Sequence, residues 1–297
     1  MKRPKLLVTG ANGQLGQELL SWATHFPQFE MLGLDRAQLD ITQQAEVDEY
    51  FSQNDIQFCI NCAAYTAVDK AESETSLAQA INIEGVRHLV LACQRQNIPL
   101  IHLSTDYVYH GLSPYPIKED APTAPQGVYA KTKLEGEQVA LALHQPCMVI
   151  RTSWVYSAFG HNFVKTMLRL GRSREQLNVV FDQIGTPTYA RHLAQAILQI
   201  IDRIHSKQIQ AEDIHGIFHY SNEGVCSWYD FAISIFQQTG IHCQVYPIES
   251  KDYPTPAQRP PFSVLNKEKL KHQFGLSIPH WSIGLQECLE ALEEKET

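Results

Sequence analysis

The chain has 297 residues, of which 44% are hydrophobic and 19% are charged, a composition typical of a globular protein with one large domain or two smaller ones. Its formal net charge of −8 argues against nucleic acid or an anionic membrane as a partner, because the average field repels both. The apolar run near the start is too short for a signal peptide, and no run reaches the roughly 18 apolar residues of a membrane span. These observations predict a cytoplasmic protein.

Short apolar runs alternate with amphipathic stretches through the first half of the chain. They predict strands at residues 6–9, 29–34, 58–61, 100–104 and 148–151. The stretches between them predict helices at residues 14–25, 43–53, 75–96 and 128–144. A parallel sheet with crossover helices requires this alternation, so residues 1–152 are predicted to form a Rossmann domain with a doubly wound parallel sheet.

The second half of the chain is less regular. Helical patterns at residues 162–170, 191–204 and 228–238 are separated by irregular stretches, and the prolines at 254, 256, 260 and 261 favour ordered turns. We therefore expect residues 153–297 to form mainly a smaller C-terminal substrate-binding α/β part, with some segments returning to the Rossmann sheet. The acidic tail at 290–296 is interpreted as a solvated helix end.

The cysteines give no sign of a disulfide framework. Seven is an odd number, and the chain has no secretory features, so we expect reduced thiols. Cys59 and Cys62 form a C-x-x-C pair, but the residues around them are typical of a buried strand. We expect no redox role for this pair.

A glycine-rich loop follows the first predicted strand and opens the first predicted helix. Its residues are Gly10, Ala11, Asn12, Gly13, Gln14, Leu15 and Gly16. Glycine allows a sharp turn at Gly10, a close approach of the backbone to a pyrophosphate at Gly13, and tight packing of helix on strand at Gly16. The helix N-terminus then presents free N–H groups to the phosphates. The pattern predicts a nicotinamide dinucleotide site; the alternative is a plain strand-to-helix turn.

An acidic residue, Asp35, ends the second predicted strand, where a carboxylate binds the adenosine ribose hydroxyls in this class of site. Its carboxylate repels a 2′-phosphate, whereas the adjacent Arg36 attracts one, so both NADPH and NADH remain open as coenzymes. Asp40 and Ile41, at the next turn, are also assigned to the coenzyme site.

Three residues are candidates for the chemistry. Tyr129 and Lys133 are four residues apart in a predicted helix, which places the phenol and the ammonium on one face. Such a pair is often a solvated surface pair, but Thr105 lies at the carboxyl end of a predicted strand, where open α/β sheets bind their ligands. A nearby cation stabilises a phenolate, so Tyr129 can act as the acid that protonates a carbonyl oxygen while Thr105 orients it. Lys133 would also hold the nicotinamide ribose.

Several longer stretches carry a family resemblance, namely residues 10–16, 61–72, 104–109, 129–137, 151–156, 162–167, 182–188 and 259–260. On these stretches the chain resembles the extended short-chain dehydrogenase/reductases and, within them, the dTDP-4-dehydrorhamnose reductase family. The resemblance runs nearly end to end. It implies an NAD(P)H-dependent oxidoreductase that reduces the 4-keto group of dTDP-4-dehydro-L-rhamnose, a nucleotide-sugar partner. We expect a monomer or a weak homodimer.

The resemblance also implies roles for further residues. It places Ala63, Ala64, Tyr65 and Thr66 beside the nicotinamide half of the coenzyme. It places the following residues at the substrate: Thr105, Asp106, Tyr107, Trp154, Asn162 and Arg259. Trp154 would pack on the sugar or the base, while Asn162 and Arg259 would meet the nucleotide diphosphate. The alternatives are a core tryptophan and a surface arginine.

The chain departs from the family pattern at Cys62, His110, Ser157 and His161, which loosens the assignment of the keto-sugar. Some relatives dimerise through magnesium held by carboxylates of the first helix and of the helix after the G-x-P-T segment. Glu18 matches the former, but the latter offers Arg191 and Gln195. Magnesium prefers carboxylate oxygens, so we predict no metal site of this kind and no bound Mg²⁺.

Two other classes of protein share much of this pattern. A nucleotide-sugar dehydratase or epimerase, or a related keto-sugar reductase, would keep the glycine loop and the Tyr–Lys pair. Dehydratases place Asp-Glu after the catalytic threonine, whereas Asp106 is followed here by Tyr107. A non-catalytic regulatory subunit on the same fold, like that of methionine adenosyltransferase, is the second alternative, and the three intact candidate residues do not exclude it.

Overall fold

A six-stranded parallel sheet forms the centre of the protein, which is described by a computed structural model at residues 3–111 and 115–296. Residue 1, where the predicted Rossmann domain begins, and residue 297, where the predicted C-terminal part ends, lie outside the described residues. The strands are β1 Lys5–Thr9, β2 Glu30–Leu34, β3 Ile56–Asn61, β4 Leu100–Thr105, β5 Cys147–Thr152, β6 Val155–Tyr156, β7 Gln176–Val180, β8 Ile184–Gly185, β9 Thr188–Tyr189, β10 Gly216–Tyr220, β11 Cys226–Ser227 and β12 Gln244–Ile248.

The order of strands in the central sheet is β2-β1-β3-β4-β5-β10. All five pairings are parallel; Leu7 of β1, for example, lies opposite Leu32 of β2 and Cys59 of β3. The chain reverses its direction of travel across the sheet between β2 and β3. Ligands bind at such a switch point, outside the carboxyl ends of the strands. The predicted fold class, a doubly wound Rossmann sheet with a smaller C-terminal part, is confirmed.

Helices pack on both faces of this sheet and in the C-terminal part. They are α1 Gln14–Ser21, α2 Gln44–Gln53, α3 Val68–Ala71, α4 Thr75–Gln79, α5 Gly85–Gln96, α6 Gly127–Leu143, α7 Phe163–Ser173, α8 Ala190–His205, α9 Trp228–Thr239, α10 Glu268–Phe274 and α11 Trp281–Glu296. Helices α1 and α8 share one apolar core with the sheet, and α2, α5 and α6 share the other. The apolar stripe of each helix is therefore buried against the sheet.

Two predicted helices are interrupted in the structure. The first ends at Ser21 and is followed by a 3₁₀ turn, Ala23–His25. The predicted helix 75–96 contains a π turn, Ala80–Glu84, between α4 and α5. A side chain at Gly136 of α6 would place its Cβ 2.2 Å from the carbonyl oxygen of Asn82, so α6 packs against the backbone of this π turn. Such a close approach has no local signal in the sequence.

The C-terminal part packs around its own apolar core. Its helices α7, α9 and α11 surround aromatic and aliphatic side chains, including Tyr156, Phe231 and Trp281. Three short strand pairs, β7 with β12, β6 with β9, and β8 with β11, line this core. Residues 190–220 instead return to the central sheet, as α8 and the edge strand β10. Among the described residues, none of the helices combines the length and the apolar character needed to cross a membrane.

Candidate active site

A cleft of about 780 Å³ opens at the carboxyl ends of the central strands. It brings together most of the residues that the sequence assigned to coenzyme, chemistry and substrate. These are Gly10, Asn12, Gly13, Gln14, Leu15, Gly16, Asp35, Arg36, Asp40, Ile41, Ala63, Ala64, Thr66, Thr105, Asp106, Tyr107, Tyr129, Lys133 and Trp154. Tyr65, Asn162 and Arg259 do not line it.

The glycine loop forms the floor at one end of this cleft. Gly10 has φ +67°, a left-handed conformation, and a Cβ there would lie 2.7 Å from the backbone nitrogen of Ala63. A Cβ at Gly16 would lie 2.6 Å from the carbonyl oxygen of Gly10. Helix α1 begins directly after Gly13, and among the described residues no side chain caps its N-terminus. The first-turn N–H groups therefore face the cleft with the geometry of an anion site.

Asp35 closes this end of the cleft and is held in place by its neighbours. Its Oδ2 accepts a hydrogen bond of 2.8 Å from Asn12 Nδ2, and its Oδ1 accepts the backbone N–H groups of Ala37 and Gln38 at 2.9 and 3.1 Å. Arg36 is the neighbouring cation; its side chain is 67% exposed and pairs with Asp40 at 3.2 Å. An exposed pair of this kind is weak, so the guanidinium is free to meet another anion.

Tyr129 and Lys133 lie in the first two turns of α6, opposite Thr105 at the end of β4. The carboxylate of Glu72 accepts the backbone N–H of Val128 at 2.8 Å and so caps the N-terminus of α6. The buried Lys133 donates from Nζ to the carbonyl oxygen of Leu103 at 2.6 Å, which fixes the ammonium at the cleft wall. The three predicted catalytic residues thus meet at one place.

Burial changes the proton affinity of both groups on α6. It raises the pKa of Tyr129 to about 12, although a hydrogen bond with Thr105 acts in the opposite direction. Burial lowers the pKa of Lys133 to about 8, against the attraction of the Glu137 carboxylate. A tyrosine of high pKa keeps its proton at neutral pH, as a proton donor must, while the lysine remains mostly charged.

Asp106 and Tyr107 follow Thr105 and form the next part of the wall. Asp106 is buried, and its Oδ2 has no hydrogen-bond partner among the described residues. Burial raises the pKa of this carboxyl to about 6, although hydrogen bonds from Ser263 and Thr105 lower it. The ring of Tyr107 packs edge to face on Tyr129, with 5.5 Å between centroids. The unpartnered oxygen is a hydrogen-bond acceptor in the wall of the cleft.

Trp154 enters the cleft from the loop between β5 and β6. Its φ is +49°, which is unusual for a residue with a bulky side chain. The indole stacks on Trp228 with 3.6 Å between centroids and an interplanar angle of 8°. A Cβ at Gly185 would lie 2.7 Å from this indole, so the glycine of the G-x-P-T segment gives the ring its space. Trp154 is therefore a rigid aromatic surface at the cleft, held by a partner that the sequence analysis missed.

Tyr65 and Asn162 make structural contacts outside the lining of the cleft. The Tyr65 hydroxyl donates to Glu74 Oε2 at 2.7 Å, so this side chain is turned away from the cleft. Asn162 is the N-cap of α7: its Oδ1 accepts the backbone N–H of Lys165 at 3.1 Å, and its Nδ2 donates to Gln14 Oε1 at 3.0 Å. Neither side chain lines the cleft, so their expected contacts with coenzyme and substrate stay predictions.

Arg259 is paired with a carboxylate that the sequence did not assign to it. It makes two hydrogen bonds of 2.7 Å to Asp69, one to each carboxylate oxygen. The side chain of Arg259 is 23% exposed, so it is not a free surface arginine. The bidentate pair joins the short helix α3 to the proline-rich segment near 260 and stands next to Tyr107. The hydrogen bond from Arg259 holds the pKa of Asp69 below its usual range.

Other residues line the cleft without having been assigned to it, namely Ala37, Leu39, Cys62, Val68, Ile81, Leu103, Ser104, Thr152, Val155, Gly160, His161 and Leu193. Six of these twelve lie next to an assigned residue in the sequence, and this adjacency was the available signal. Leu193 belongs to α8 and had no such signal. Cys59 and Cys62 are free thiols, and burial raises the pKa of Cys62, so this thiol does not have the character of a reactive thiolate.

Glu18 is the carboxylate of the first helix that the family resemblance matched to a magnesium ligand. Its carboxylate is buried and accepts a hydrogen bond of 2.5 Å from Ser157 Oγ. The guanidinium of Arg191 lies 3.8 Å from Glu18 Oε2. Among residues 3–111 and 115–296, no three acidic, histidine or cysteine side chains form a cluster suited to a metal ion. These donors do not fit a magnesium site, because a cation already stands beside the single carboxylate.

Comparison with known proteins agrees with this architecture. A family model described as the RmlD substrate binding domain matches residues 4–294. The dTDP-4-dehydrorhamnose reductase of Aggregatibacter actinomycetemcomitans is 41% identical over 289 residues, which cover 95% of this chain and 97% of that protein. The crystal structure of a dTDP-4-dehydrorhamnose reductase from Clostridium acetobutylicum ATCC 824 is 40% identical, with a TM-score of 0.91, and covers 97% of this chain and 99% of that one.

A second solved structure adds a coenzyme. The dTDP-4-dehydrorhamnose reductase of Bacillus anthracis str. Ames, in complex with NADP, is 36% identical, with a TM-score of 0.91. It covers 97% of this chain and 99% of that one. The likeness spans both the Rossmann sheet and the C-terminal part. The chain therefore belongs to the dTDP-4-dehydrorhamnose reductase family, within the extended short-chain dehydrogenase/reductases.

Proposed function

We propose that this chain reduces the 4-keto group of dTDP-4-dehydro-L-rhamnose to give dTDP-L-rhamnose, a nucleotide-sugar precursor of polysaccharides, at the expense of NADPH or NADH. The observation that carries the proposal is the meeting of Thr105, Tyr129 and Lys133 in the wall of the cleft whose floor is the glycine loop. A phenol, a hydroxyl and a buried ammonium at one point are what protonation of a carbonyl oxygen requires.

The residues at the coenzyme end fit a dinucleotide. The approach at Gly10 and Gly16 leaves no space for a side chain, and the uncapped turn of α1 offers N–H groups to a pyrophosphate. Asn12 and Asp35 would bind the adenosine ribose, and Lys133 would hold the nicotinamide ribose. When bound, the reduced nicotinamide supplies the hydride that adds to C4 of the sugar. We assign the coenzyme mainly to residues 1–152 and the substrate mainly to residues 153–297.

The side chains of the cleft supply the proton and hold the carbonyl. Tyr129 donates its proton to the C4 oxygen as that oxygen gains negative charge, so the carbonyl becomes a hydroxyl. Thr105 donates a hydrogen bond that orients the same oxygen. The ammonium of Lys133 stabilises the phenolate that remains on Tyr129 until a proton from solvent replaces the one transferred. The pKa of Tyr129, raised to about 12 by burial, makes this stabilisation necessary.

The substrate contacts follow from the other wall of the cleft. Asp106 accepts hydrogen bonds from sugar hydroxyls through its unpartnered oxygen, and Tyr107 packs beside it. Trp154 offers a flat surface to the sugar or the base. Arg259 meets the diphosphate if it exchanges Asp69 for phosphate oxygens, which suit the same bidentate geometry. Asn162 takes part by fixing Gln14 and the start of α7.

Both coenzymes fit the adenosine end. The Asp35 carboxylate suits the free hydroxyls of NADH, whereas the exposed Arg36 suits the 2′-phosphate of NADPH. The relative from B. anthracis was crystallised with NADP. We therefore propose that the site accepts either coenzyme and that Arg36 favours NADPH.

The direct test is a coupled assay with dTDP-4-keto-L-rhamnose generated in situ. With purified protein and NADPH, we expect loss of the nicotinamide absorbance and formation of dTDP-L-rhamnose. A panel of other keto-sugar nucleotides tests the related reductases, and product analysis without coenzyme turnover tests an epimerase. Absence of turnover with every substrate, together with normal folding and coenzyme binding, would instead favour a non-catalytic subunit.

Magnesium removal tests the geometry at Glu18. We propose that the protein works without a bound metal, as a monomer or a weak homodimer, because Ser157 and Arg191 already satisfy the Glu18 carboxylate. EDTA should change neither the turnover nor the mass measured by light scattering. Loss of activity in EDTA, regained with Mg²⁺, would show that this reading of the site is wrong.

A further inference from the structure

Helix α6 carries a third ionisable residue in line with the two that face the cleft. Tyr129, Lys133 and Glu137 are spaced by four residues, so they follow one another along one face of the helix. Glu137 is buried below Lys133, at 1% exposure, and lies outside the cleft lining. The proposed reaction assigns it no role, although a buried carboxylate so close to the chemistry requires an explanation.

The Glu137 carboxylate is held from two strands of the sheet. Arg151 of β5 donates to it from Nε at 3.0 and 3.1 Å and from a terminal nitrogen at 2.6 Å. Ser104 of β4 donates its hydroxyl to Glu137 Oε1. Arg151 itself is buried and also binds the hydroxyl of Tyr109, which in turn contacts His219 Nε2 at 2.9 Å. The carboxylate therefore has a fixed position and direction.

Lys133 depends on a nearby negative charge. Burial lowers the pKa of its ammonium, and the Glu137 carboxylate raises it again, giving a value of about 8. Two other titratable groups act on Lys133 from neighbouring elements, namely Cys62 after β3 and His102 in β4. Burial keeps both neutral, since it raises the pKa of the thiol and lowers that of the imidazole. Glu137 therefore supplies the charge that balances Lys133.

We propose that Glu137, held by hydrogen bonds from Arg151 and Ser104, is a positioning residue whose carboxylate keeps the Lys133 ammonium charged at the cleft wall, where the Leu103 carbonyl binds it. This inference rests on the proposed function, because it assigns Glu137 an effect on the group that assists Tyr129. The close contact of Gly136 with the backbone of Asn82 prevents α6 from sliding, so Glu137 stays below Lys133. Removing the carboxylate favours the neutral amine, which no longer stabilises the Tyr129 phenolate.

The test compares pH profiles of kcat at saturating substrate and coenzyme. Because Lys133 must be protonated, activity should fall as the pH rises through about 8 in the unmodified chain. The double variant Glu137→Gln/Arg151→Met removes the carboxylate without leaving a buried unpaired guanidinium. Its alkaline limb should move to lower pH by about 1 unit, less than the full effect of losing one close opposite charge, because the guanidinium that offsets the carboxylate is removed with it. The matched control Glu223→Gln/Lys267→Met removes another partly buried ion pair, which belongs neither to α6 nor to the cleft lining, and should leave the limb in place.

The outcomes separate this inference from the proposed function. If the unmodified chain is inactive, the proposed reaction is contradicted. If the unmodified chain is active, and the double variant has a lower kcat but an alkaline limb at the same pH, the proposed role of Glu137 is overturned. The variant Glu137→Asp keeps the charge and should keep the limb near its original pH. Circular dichroism shows whether the double variant folds. If it does not fold, the test uses Glu137→Asp alone: an alkaline limb that moves to lower pH by a full unit or more overturns the proposal.

Discussion

The two ends of the cleft are built by different means. The coenzyme end consists mainly of backbone, in a loop of seven consecutive residues from Gly10 to Gly16, where side chains are excluded. The end that carries the chemistry consists of buried polar side chains from β4, α6 and the loops after them, held by hydrogen bonds between distant parts of the chain. The first depends on local conformation, and the second depends on how the elements pack. Substitutions should therefore affect the two ends differently.

The largest effect is expected at the chemical end, from Tyr129→Phe. Removing the hydroxyl removes the proton donor and changes little else, so kcat should fall by about 10²-fold or more while coenzyme affinity is kept. Steady-state kinetics with NADPH, combined with fluorescence titration of the coenzyme, measure the two quantities. Retention of most of the turnover would show that another group protonates the substrate.

Tyr65→Phe is the matched control for that variant. Tyr65 also loses one hydroxyl, but this hydroxyl binds Glu74 and lies outside the cleft. We expect kcat to stay within about threefold of the original value, because a lost hydrogen bond at this site affects folding stability by only about 1 kcal/mol. A fall as large as that of Tyr129→Phe would place Tyr65 at the reacting groups after all.

The backbone end is tested by Gly10→Ala. The left-handed conformation costs an alanine about 1–2 kcal/mol, and overpacking against Ala63 adds about 1–3 kcal/mol. Both the free energy of unfolding and the affinity for NADPH should fall, as measured by urea denaturation and fluorescence titration. Gly240→Ala is the control: Gly240 has φ +66° but no heavy atom within 4 Å of its Cβ position, so only the conformational cost applies. Equal losses in the two variants would contradict the close approach at Gly10.

The contrast between the two ends also explains what the sequence predicts well. The glycine loop, Asp35 and the spacing of Tyr129 and Lys133 are local patterns, and the structure brings them into one cleft. Strand positions in the Rossmann sheet agree with the predictions to within about two residues, because buried parallel strands are short apolar runs. The sixth strand, β10, was not located, since it follows an irregular stretch and pairs with the distant β5.

Other features of the site could not be predicted, because they depend on contacts between remote positions. Arg259 pairs with Asp69 across 190 residues, and no local pattern connects the two. Trp154 and Trp228 stack because α9 packs beside the loop after β5. The direction of the Tyr65 side chain depends on Glu74 and on the π turn near Asn82. The resemblance to a family supplied expected roles for Tyr65, Asn162 and Arg259, but not these contacts.

At the chemical end, Asp106 should make folding stability depend on pH. Burial raises its pKa from 3.8 to about 6, so the folded state binds this proton more tightly than the unfolded state does. The resulting stabilisation is complete below about pH 4 and is lost as the pH rises through about 6, an effect of about 2–3 kcal/mol. Asp106→Asn lacks this dependence. The difference in unfolding free energy between variant and unmodified chain, from urea denaturation, should therefore change between pH 4 and 7.

The exposed Asp55 provides the comparison for Asp106. Asp55→Asn makes the same substitution at an exposed side chain and is measured over the same pH range as the control. A flat difference for Asp106→Asn would mean that solvent reaches the Asp106 carboxyl. In that case its free oxygen would not be reserved for a sugar hydroxyl.

The smallest expected effect concerns an exposed cationic side chain at the coenzyme end, Arg36. It pairs with Asp40 at 3.2 Å, and its side chain is 67% exposed. Arg36→Ala should raise KM for NADPH by about fivefold, which corresponds to about 1 kcal/mol for a solvent-exposed ionic contact, and leave KM for NADH nearly unchanged. Arg87→Ala, at another exposed pair outside the cleft, should change neither value. Equal changes in KM for both coenzymes would show that Arg36 acts on the shape of the loop and not on the 2′-phosphate. The backbone would then account for coenzyme binding at this end without a charged side chain.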